Sequence, residues 1–152
     1  MTIIELKSRT EIQQNKKLEN KYILLNNLIL ELKSRELGDN TVRFINEEVV
    51  LLNAINEPNQ LLGKQIKKSQ SKILKLLEQD YKLVPKNYYR KKWLAIGMAA
   101  FGIPFGAAFG AGLGNMSYIG VGIAVGIALG AGLGTKKDQE AFEKGNQLNF
   151  EI

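Results

Sequence analysis

The sequence predicts an all-α membrane protein in which a cytoplasmic helical region precedes a two-span glycine-zipper transmembrane hairpin. Three observations support this fold class. Residues 93–135 form a run of 43 residues without a charged side chain, 12 of the 15 glycines lie between Gly97 and Gly134, and the preceding region has helical periodicity. One span requires about 20 apolar residues, so the uncharged run can hold two spans and a tight turn. A buried helix pair in a soluble domain of this size would carry charges on its outer faces.

The predicted parts follow the distribution of charge and of turn-forming residues. Asn115 and Ser117 are the only Asn and Ser of the uncharged run, and both residue types favour turns. The predicted parts are a cytoplasmic helical or coiled-coil region (1–84), a basic-aromatic juxtamembrane collar (85–92), a transmembrane helical hairpin (93–135, with spans at about 93–114 and 119–134) and a cytoplasmic tail (136–152).

Basic residues flank the two predicted spans on one side only, since the turn between them has no Lys or Arg. Positively charged flanks stay cytoplasmic, which predicts that both termini are cytoplasmic. Met1–Glu5 lacks a basic stretch and an apolar core, so no cleavable signal is expected. The predicted contacts with lipid headgroups are Lys86, Arg90, Lys91, Lys92, Lys136 and Lys137. The predicted interface aromatics are Tyr88, Tyr89 and Trp93 on that side and Tyr118 on the other.

Glycines recur at every fourth position in each predicted span, and the pattern repeats with an offset of 20 residues. Residues four apart lie on one face of a helix, and a row of glycines lets another backbone approach closely. The row therefore predicts a packing face, either within the hairpin or between chains of a homo-oligomer. The predicted packing residues are Gly102, Gly106, Gly110 and Gly114 in the first span and Gly122, Gly126, Gly130 and Gly134 in the second.

Pro104 interrupts the first span and predicts a kink, because proline lacks an N–H and collides with the carbonyl of Ala100. A kink beside a glycine row could serve as a hinge or a pore constriction. Proline is also tolerated in membrane helices as a detail of packing, and this interpretation is favoured.

The first 84 residues predict three helices. Leu18 to Leu32 and Val42 to Leu52 follow apolar steps of three and four, and Pro58 is expected to begin a third helix that runs to about Tyr81. The seams are too short to distinguish a small bundle from an oligomeric coiled coil. Residues 1–6 and 147–152 could each be a strand instead, and the second segment could pair with the first or with a partner.

Residues 61–92 hold ten basic and two acidic side chains. Beside a bilayer, such a run predicts contact with anionic headgroups, at about 1 kcal/mol for each basic residue near the surface. Nucleic acid is not an expected partner, since Arg is scarce in this run. The protein partner of the cytoplasmic region is not identifiable from the sequence.

The composition excludes the catalytic and metal-binding chemistry that depends on Cys or His. The chain has no Cys and no His, which excludes disulfides, zinc sites built on these residues and histidine-based triads. Ser69 and Lys72 match the S-x-x-K spacing of serine acylases, but the accompanying motifs are missing and the match is attributed to chance. The glycines fit neither a phosphate-binding nor a dinucleotide-binding fingerprint. No enzymatic activity, cofactor or metal is predicted.

Several short segments resemble small uncharacterised bacterial glycine-zipper integral membrane proteins. The segments are LVPKNYYR at 83–90, GMAAFGIP at 97–104, GNM at 114–116 and GNQL at 145–148, and the similarity covers about residues 83–152. The resemblance implies an integral membrane hairpin near the C-terminus and no reaction.

The role expected from the sequence is non-enzymatic. The hairpin is expected to anchor, and to oligomerise, the helical region at the bacterial inner (cytoplasmic) membrane. The alternative is a pore-forming or membrane-permeabilising protein assembled through the glycine rows. The anchor is preferred because no charge lies within the predicted spans to line a selective pathway.

Overall fold

The computed structural model describes residues 1–56 and 60–151 and is mostly helical. It divides into two compact units. The N-terminal unit comprises Met1–Val84 together with Leu148–Phe150, and the hairpin unit comprises Pro85–Gln147 and Glu151. The boundary between Val84 and Pro85 falls where the sequence changes from heptad-like seams to the basic-aromatic collar.

In its described residues, the N-terminal unit has three α-helices after a short 3₁₀ turn at Thr10–Gln14: α1 (Lys16–Lys33), α2 (Asp39–Asn53) and α3 (Gln60–Tyr81). The Asn15 side chain caps α1 by accepting a hydrogen bond from the Leu18 N–H at 3.2 Å. The predicted helix start at Pro58 lies outside the described residues.

The apolar seams seen in the sequence meet in one core, in which α3 packs against both α1 and α2. The helices of one chain therefore form a bundle, the first of the two arrangements considered from the sequence. Among the described residues, the largest of the fully buried side chains are Leu25, Leu28, Ile29, Leu32, Ile45, Val49, Leu52, Leu62, Ile66, Ile73, Leu77 and Leu148.

Residues 1–7 do not form a strand, but several of their backbone N–H and carbonyl groups are hydrogen-bonded to side chains of α2. Asn46 accepts a hydrogen bond from the Ile4 N–H and donates one to the Thr2 carbonyl, at 2.8 and 3.0 Å. Asn53, two turns further along α2, does the same for the N–H of Lys7 and the carbonyl of Glu5. Side-chain amides thus take the place of a neighbouring strand.

The hairpin unit contains two long apolar helices, each long and apolar enough to cross a membrane: Tyr88–Gly112 and Met116–Glu143. The first is α4 (Tyr88–Gly97), a π-helical segment (Met98–Gly102) and α5 (Ile103–Gly112), which follow one another without a break. The second is a 3₁₀ turn at Met116–Tyr118 followed by α6 (Ile119–Glu143).

Helix α6 extends nine residues beyond the predicted end of the second span at 134. The segment after Gly134 holds charged residues but no helix breaker, so the helix continues to Glu143. It ends where Gly145 takes a left-handed φ of 70° and the N–H of Asn146 bonds the Ala141 carbonyl at 2.8 Å.

The all-α prediction is not fully correct, because the described residues include two short strands. They are β1 (Val84–Lys86) and β2 (Gln147–Glu151), and they form a two-stranded sheet. The strand considered at 147–152 is therefore present over Gln147–Glu151, and its partner is β1 rather than the N-terminal segment.

Candidate functional site

The four glycines predicted to form the packing row of α6 are buried and face the backbone of the first hairpin helix. A Cβ atom added to Gly126 would lie 2.6 Å from the Gly102 nitrogen and 2.7 Å from its Cα. One added to Gly134 would lie 2.7 Å from the Tyr89 carbonyl oxygen. Gly122 and Gly130 are equally close to the opposing backbone. Real Cβ atoms do not approach backbone this closely, so the interface requires glycine at these positions.

The first hairpin helix contributes its own glycines to this interface. A Cβ on Gly106 would lie 2.8 Å from the Ile119 Cα, and one on Gly102 would lie 3.0 Å from the Ile123 Cα. Gly110 instead faces the sulfur of Met116, at 3.1 Å from a Cβ at this position. The contact at Gly110 is thus with a flexible side chain that can move aside.

Gly97 belongs to the interface although the sequence did not identify it. A Cβ on Gly97 would lie 2.8 Å from the Cα of Gly130. Gly97 precedes Gly102 by five positions, whereas the predicted packing glycines are four positions apart. The π-helical segment between the two glycines compensates, because a π-turn closes with i to i−5 bonds and so aligns residues five apart. The sequence signal that could have identified Gly97 is a pair of glycines five residues apart just before Pro104.

Pro104 explains why the π segment lies at this place. Proline has no N–H to donate to the Ala100 carbonyl, and membrane helices accommodate such a gap by local π adjustment. The Ile103 N–H bonds the Met98 carbonyl, five residues back. Just before Pro104, where the sequence predicted a kink, the helix therefore has a widened turn, and this turn keeps Gly97 and Gly102 on one face.

Gly114 differs from its predicted role as a packing residue. It lies beyond α5 with a left-handed φ of 67°, and among the described residues no atom comes within 4 Å of a Cβ built there. The N–H of Asn115 bonds the Gly110 carbonyl at 3.0 Å, and that of Gly114 bonds the Ala111 carbonyl at 3.4 Å. This is the Schellman arrangement that ends a helix, so Gly114 is required by the turn and not by packing.

Asp138 extends the row of α6 beyond the glycines, again without having been identified from the sequence. It follows Gly134 by four positions and is 7% exposed. Its Oδ1 accepts a hydrogen bond from the Tyr89 N–H and its Oδ2 one from the Arg90 N–H, both at 2.9 Å. The helix that begins at Tyr88 has no cap from the preceding Asn87 side chain, so Asp138 supplies the N-terminal cap from the opposite helix.

Large apolar side chains cover the outside of the hairpin. Only a small part of the apolar stretch in each long helix is buried, 22% in the first and 17% in the second. The arrangement is the reverse of a soluble core, since the smallest residues are inside and the largest apolar ones are outside. The exposed large apolar residues of the two helices and their turn are Ile96, Met98, Phe101, Ile103, Phe105, Phe109, Leu113, Met116, Tyr118, Val121, Val125, Ile127, Leu129, Leu133 and Phe142.

All six basic residues predicted to contact headgroups are exposed. Near them, Lys137 Nζ lies 5.6 Å above the Trp93 ring, and Lys92 Nζ lies 5.3 Å above the ring of Tyr88. Lys91 forms an ion pair with Glu151 at 3.3 Å. Tyr88, Tyr89 and Trp93 are half-buried, whereas Tyr118 is exposed at the turn. One end of the hairpin therefore carries basic and aromatic groups together, and the other end carries no charge.

The S-x-x-K match in α3 is part of a buried polar cluster. Ser69 donates a hydrogen bond to Glu48 Oε2 at 2.7 Å, and the Lys72 ammonium pairs with Oε1 of the same carboxylate. Burial of Glu48 acts to raise its pKa, but the hydrogen bonds from Lys72 and Ser69 outweigh it and hold the pKa below the usual value. Ser69 is fully buried and its proton points to a carboxylate, so the geometry is structural and not that of a nucleophile.

Within the described ranges, no group of three or more acidic residues is arranged to hold a metal ion. No protein-family model matches the chain, and neither the curated proteins nor the solved structures contain a significant match.

Proposed function

We propose that this protein is a non-enzymatic integral membrane protein whose glycine-lined hairpin anchors the N-terminal helical bundle at a bilayer. The observation that carries the proposal is the inverted distribution of side chains in the hairpin. Glycines fill the contact between the helices, and Phe105, Leu129 and similar residues face outward. Lipid tails solvate such a surface, and close backbone packing replaces the hydrophobic effect as the source of cohesion between helices in lipid.

The charges support a definite orientation in the membrane. Basic and aromatic groups gather at the end that holds both connections to the rest of the chain, and the turn at 113–118 is uncharged. By the positive-inside rule, both termini face the cytoplasm and the turn faces outward, which in a bacterium places the protein in the inner membrane. Exposed Lys86, Arg90 and Lys136 then contact anionic headgroups.

The glycine rows support anchoring more than pore formation. Their contacts lie between the two helices of one chain, so the rows are already occupied when the hairpin closes. A pore built through the same rows would have to open the hairpin. Homo-oligomerisation, also expected from the sequence, remains a separate proposal that would require another face of the hairpin.

The membrane proposal is tested by placing a charge on the outer face. Leu129, in α6, and Leu30, in α1, are 49% and 50% exposed. If the hairpin is in lipid, Leu129→Lys costs about 2.5–3.5 kcal/mol of insertion free energy, whereas Leu30→Lys faces water and costs little. Wild type and Leu30→Lys should stay in the membrane pellet after carbonate extraction, and Leu129→Lys should be lost from it.

Recovery of the wild type in the soluble fraction without detergent would contradict membrane insertion. Equal behaviour of the two lysine variants would contradict the assignment of the outer face to lipid. Dye release from liposomes separates the anchor from the pore, because an anchor leaves the vesicles sealed at all protein-to-lipid ratios and a pore does not.

A further inference from the structure

A cavity of about 580 Å³ lies in the N-terminal unit, where the first two turns of α1 and α3 approach each other. Leu18 and Gly63 mark this approach, since a Cβ on Gly63 would be 3.4 Å from Leu18 Cδ1. The volume is in the range of small-molecule sites, about 300–1,000 Å³. The lining residues are Asn15, Lys17, Leu18, Lys21, Gln60, Gly63, Lys64 and Lys67.

Of the eight lining residues in the described part of the chain, four are lysines and none is acidic. Lys17 and Lys21 are four apart on α1, and Lys64 and Lys67 are three apart on α3, so each pair lies on one face of its helix. In the described part of the chain, none of the four forms an ion pair, whereas Lys33, in the same bundle, pairs with Glu5 at 2.5 Å. Like charges that lie close together destabilise the free protein when, as among the described residues here, no acidic side chain pairs with them, and a bound anion would relieve this repulsion.

The helix directions add to the positive potential of the cavity. Its lining comes from the N-terminal turns of an 18-residue helix and a 22-residue helix. Each N-terminus carries a partial positive charge from the aligned peptide dipoles. The Asn15 and Gln60 amides add polar groups that can donate to an oxygen-rich ligand.

We propose that this cavity binds a phosphate-bearing anion through its four lysines. Phosphate suits the site because an ammonium group binds it as a point charge and several lysines can share its oxygens. The chemistry is common to a soluble di- or triphosphate and to the headgroup of an anionic phospholipid. The cavity is formed by the N-terminal unit alone, so this binding does not depend on the anchoring proposal.

The test uses the full-length protein in nanodiscs of phosphatidylcholine, with pyrophosphate as the titrant in calorimetry. Wild type should bind pyrophosphate, and Lys21→Gln/Lys64→Gln should bind it at least about tenfold more weakly, since two charge-assisted contacts are removed. The matched control is Lys7→Gln/Lys75→Gln, which removes the same charge from exposed positions outside the cavity and should change the affinity less than about twofold.

A second variant separates loss of charge from loss of fold. Lys21→Arg/Lys64→Arg keeps both charges and should keep the affinity within about threefold, since arginine also binds phosphate. Circular dichroism of every variant should match that of the wild type. Absence of pyrophosphate binding to the wild type, or equal weakening by the control pair, would overturn the proposal.

Nanodiscs that contain phosphatidic acid identify the source of the phosphate. If the headgroup of a lipid occupies the cavity, pyrophosphate should bind the wild type at least about tenfold more weakly in these discs than in neutral ones. If the ligand is a soluble phosphate compound, the two affinities should agree after correction for surface potential. Either result supports the site and assigns its ligand.

Discussion

The Asp138 carboxylate accepts a hydrogen bond from the backbone N–H of Arg90 across the base of the hairpin, at 2.9 Å. The same carboxylate accepts a second one from Tyr89. Asp138 continues the row of Gly130 and Gly134 with the same spacing of four residues. One face of α6 therefore contacts the opposing helix in two ways. Along the apolar part it allows close approach of the two backbones, and at the charged end it accepts hydrogen bonds from backbone N–H groups in the first turn of the opposing helix.

The first prediction concerns this cap. Asp138→Ala should destabilise the hairpin by about 1–2 kcal/mol, because it removes an N-cap and leaves two N–H groups unpaired in a partly buried place. Asp138→Asn, which keeps one acceptor oxygen, should cost less. Thermal unfolding in detergent measures both. The control is Glu140→Ala, at an exposed position two residues further on, and a loss as large as that of Asp138→Ala would contradict the capping role.

The second prediction uses two glycines of the same helix. Gly126→Ala should destabilise the hairpin by about 1–3 kcal/mol, since the new Cβ meets the Gly102 backbone, which cannot move aside. Gly132→Ala should be neutral or stabilise the helix by up to about 1 kcal/mol, because a Cβ there meets no atom of the described residues within 4 Å. Unfolding in detergent gives the comparison, and two changes of the same sign and size would refute a packing row.

The third prediction compares how strongly a leucine destabilises the hairpin at two positions of the interface. Gly130→Leu should be more damaging than Gly110→Leu, because the neighbour of Gly130 is the Trp93 and Leu94 backbone and that of Gly110 is chiefly the Met116 side chain. Crosslinking between cysteines placed at 103 and 123 reports helix separation, with thermal stability measured alongside. Leucine at either position would raise span hydrophobicity, so unchanged or tighter crosslinking for Gly130→Leu would exclude close packing at that position.

The fourth prediction concerns pH and the N-terminal unit. The lowered pKa of Glu48 means that its contribution to stability is complete above the usual value near 4.5. It is lost as pH falls through the lower folded-state value. Glu48→Gln should therefore cost about 1–3 kcal/mol at pH 7 and make the loss of stability below pH ~4.5 shallower. Urea unfolding of the full-length protein from pH 7 to 3 measures this, with Glu47→Gln at the exposed neighbouring position as control.

The fifth prediction concerns orientation. A reporter that is active only in the periplasm should be silent when fused after residue 152 and active when inserted at Ser117, because the basic residues keep both termini inside. The opposite pattern would reverse the orientation. Activity at the C-terminus combined with a cytoplasmic N-terminus would mean that only one helix crosses the membrane.

Sequence alone determined those features that depend on local composition and spacing. A run of 43 uncharged residues sets the length of the apolar segment, and the step of four sets which face of α6 is made of glycine. The apolar seams of α1 to α3 likewise identified the core, since Leu25, Ile45 and Ile73 are buried where helical periodicity places them.

Tertiary structure decided the features that join residues distant in the chain. Gly97 packs against α6 because a π-turn follows it, and Gly114 ends a helix because its backbone is left-handed. Glycine permits both conformations, and the spacing of the glycines does not distinguish them. The partners of Asp138, of Asn46 and of β2 were decided by which backbone groups lacked a hydrogen bond after the helices had packed. Which backbone groups need a partner depends on how the helices pack, so a local pattern of residues does not predict these hydrogen bonds.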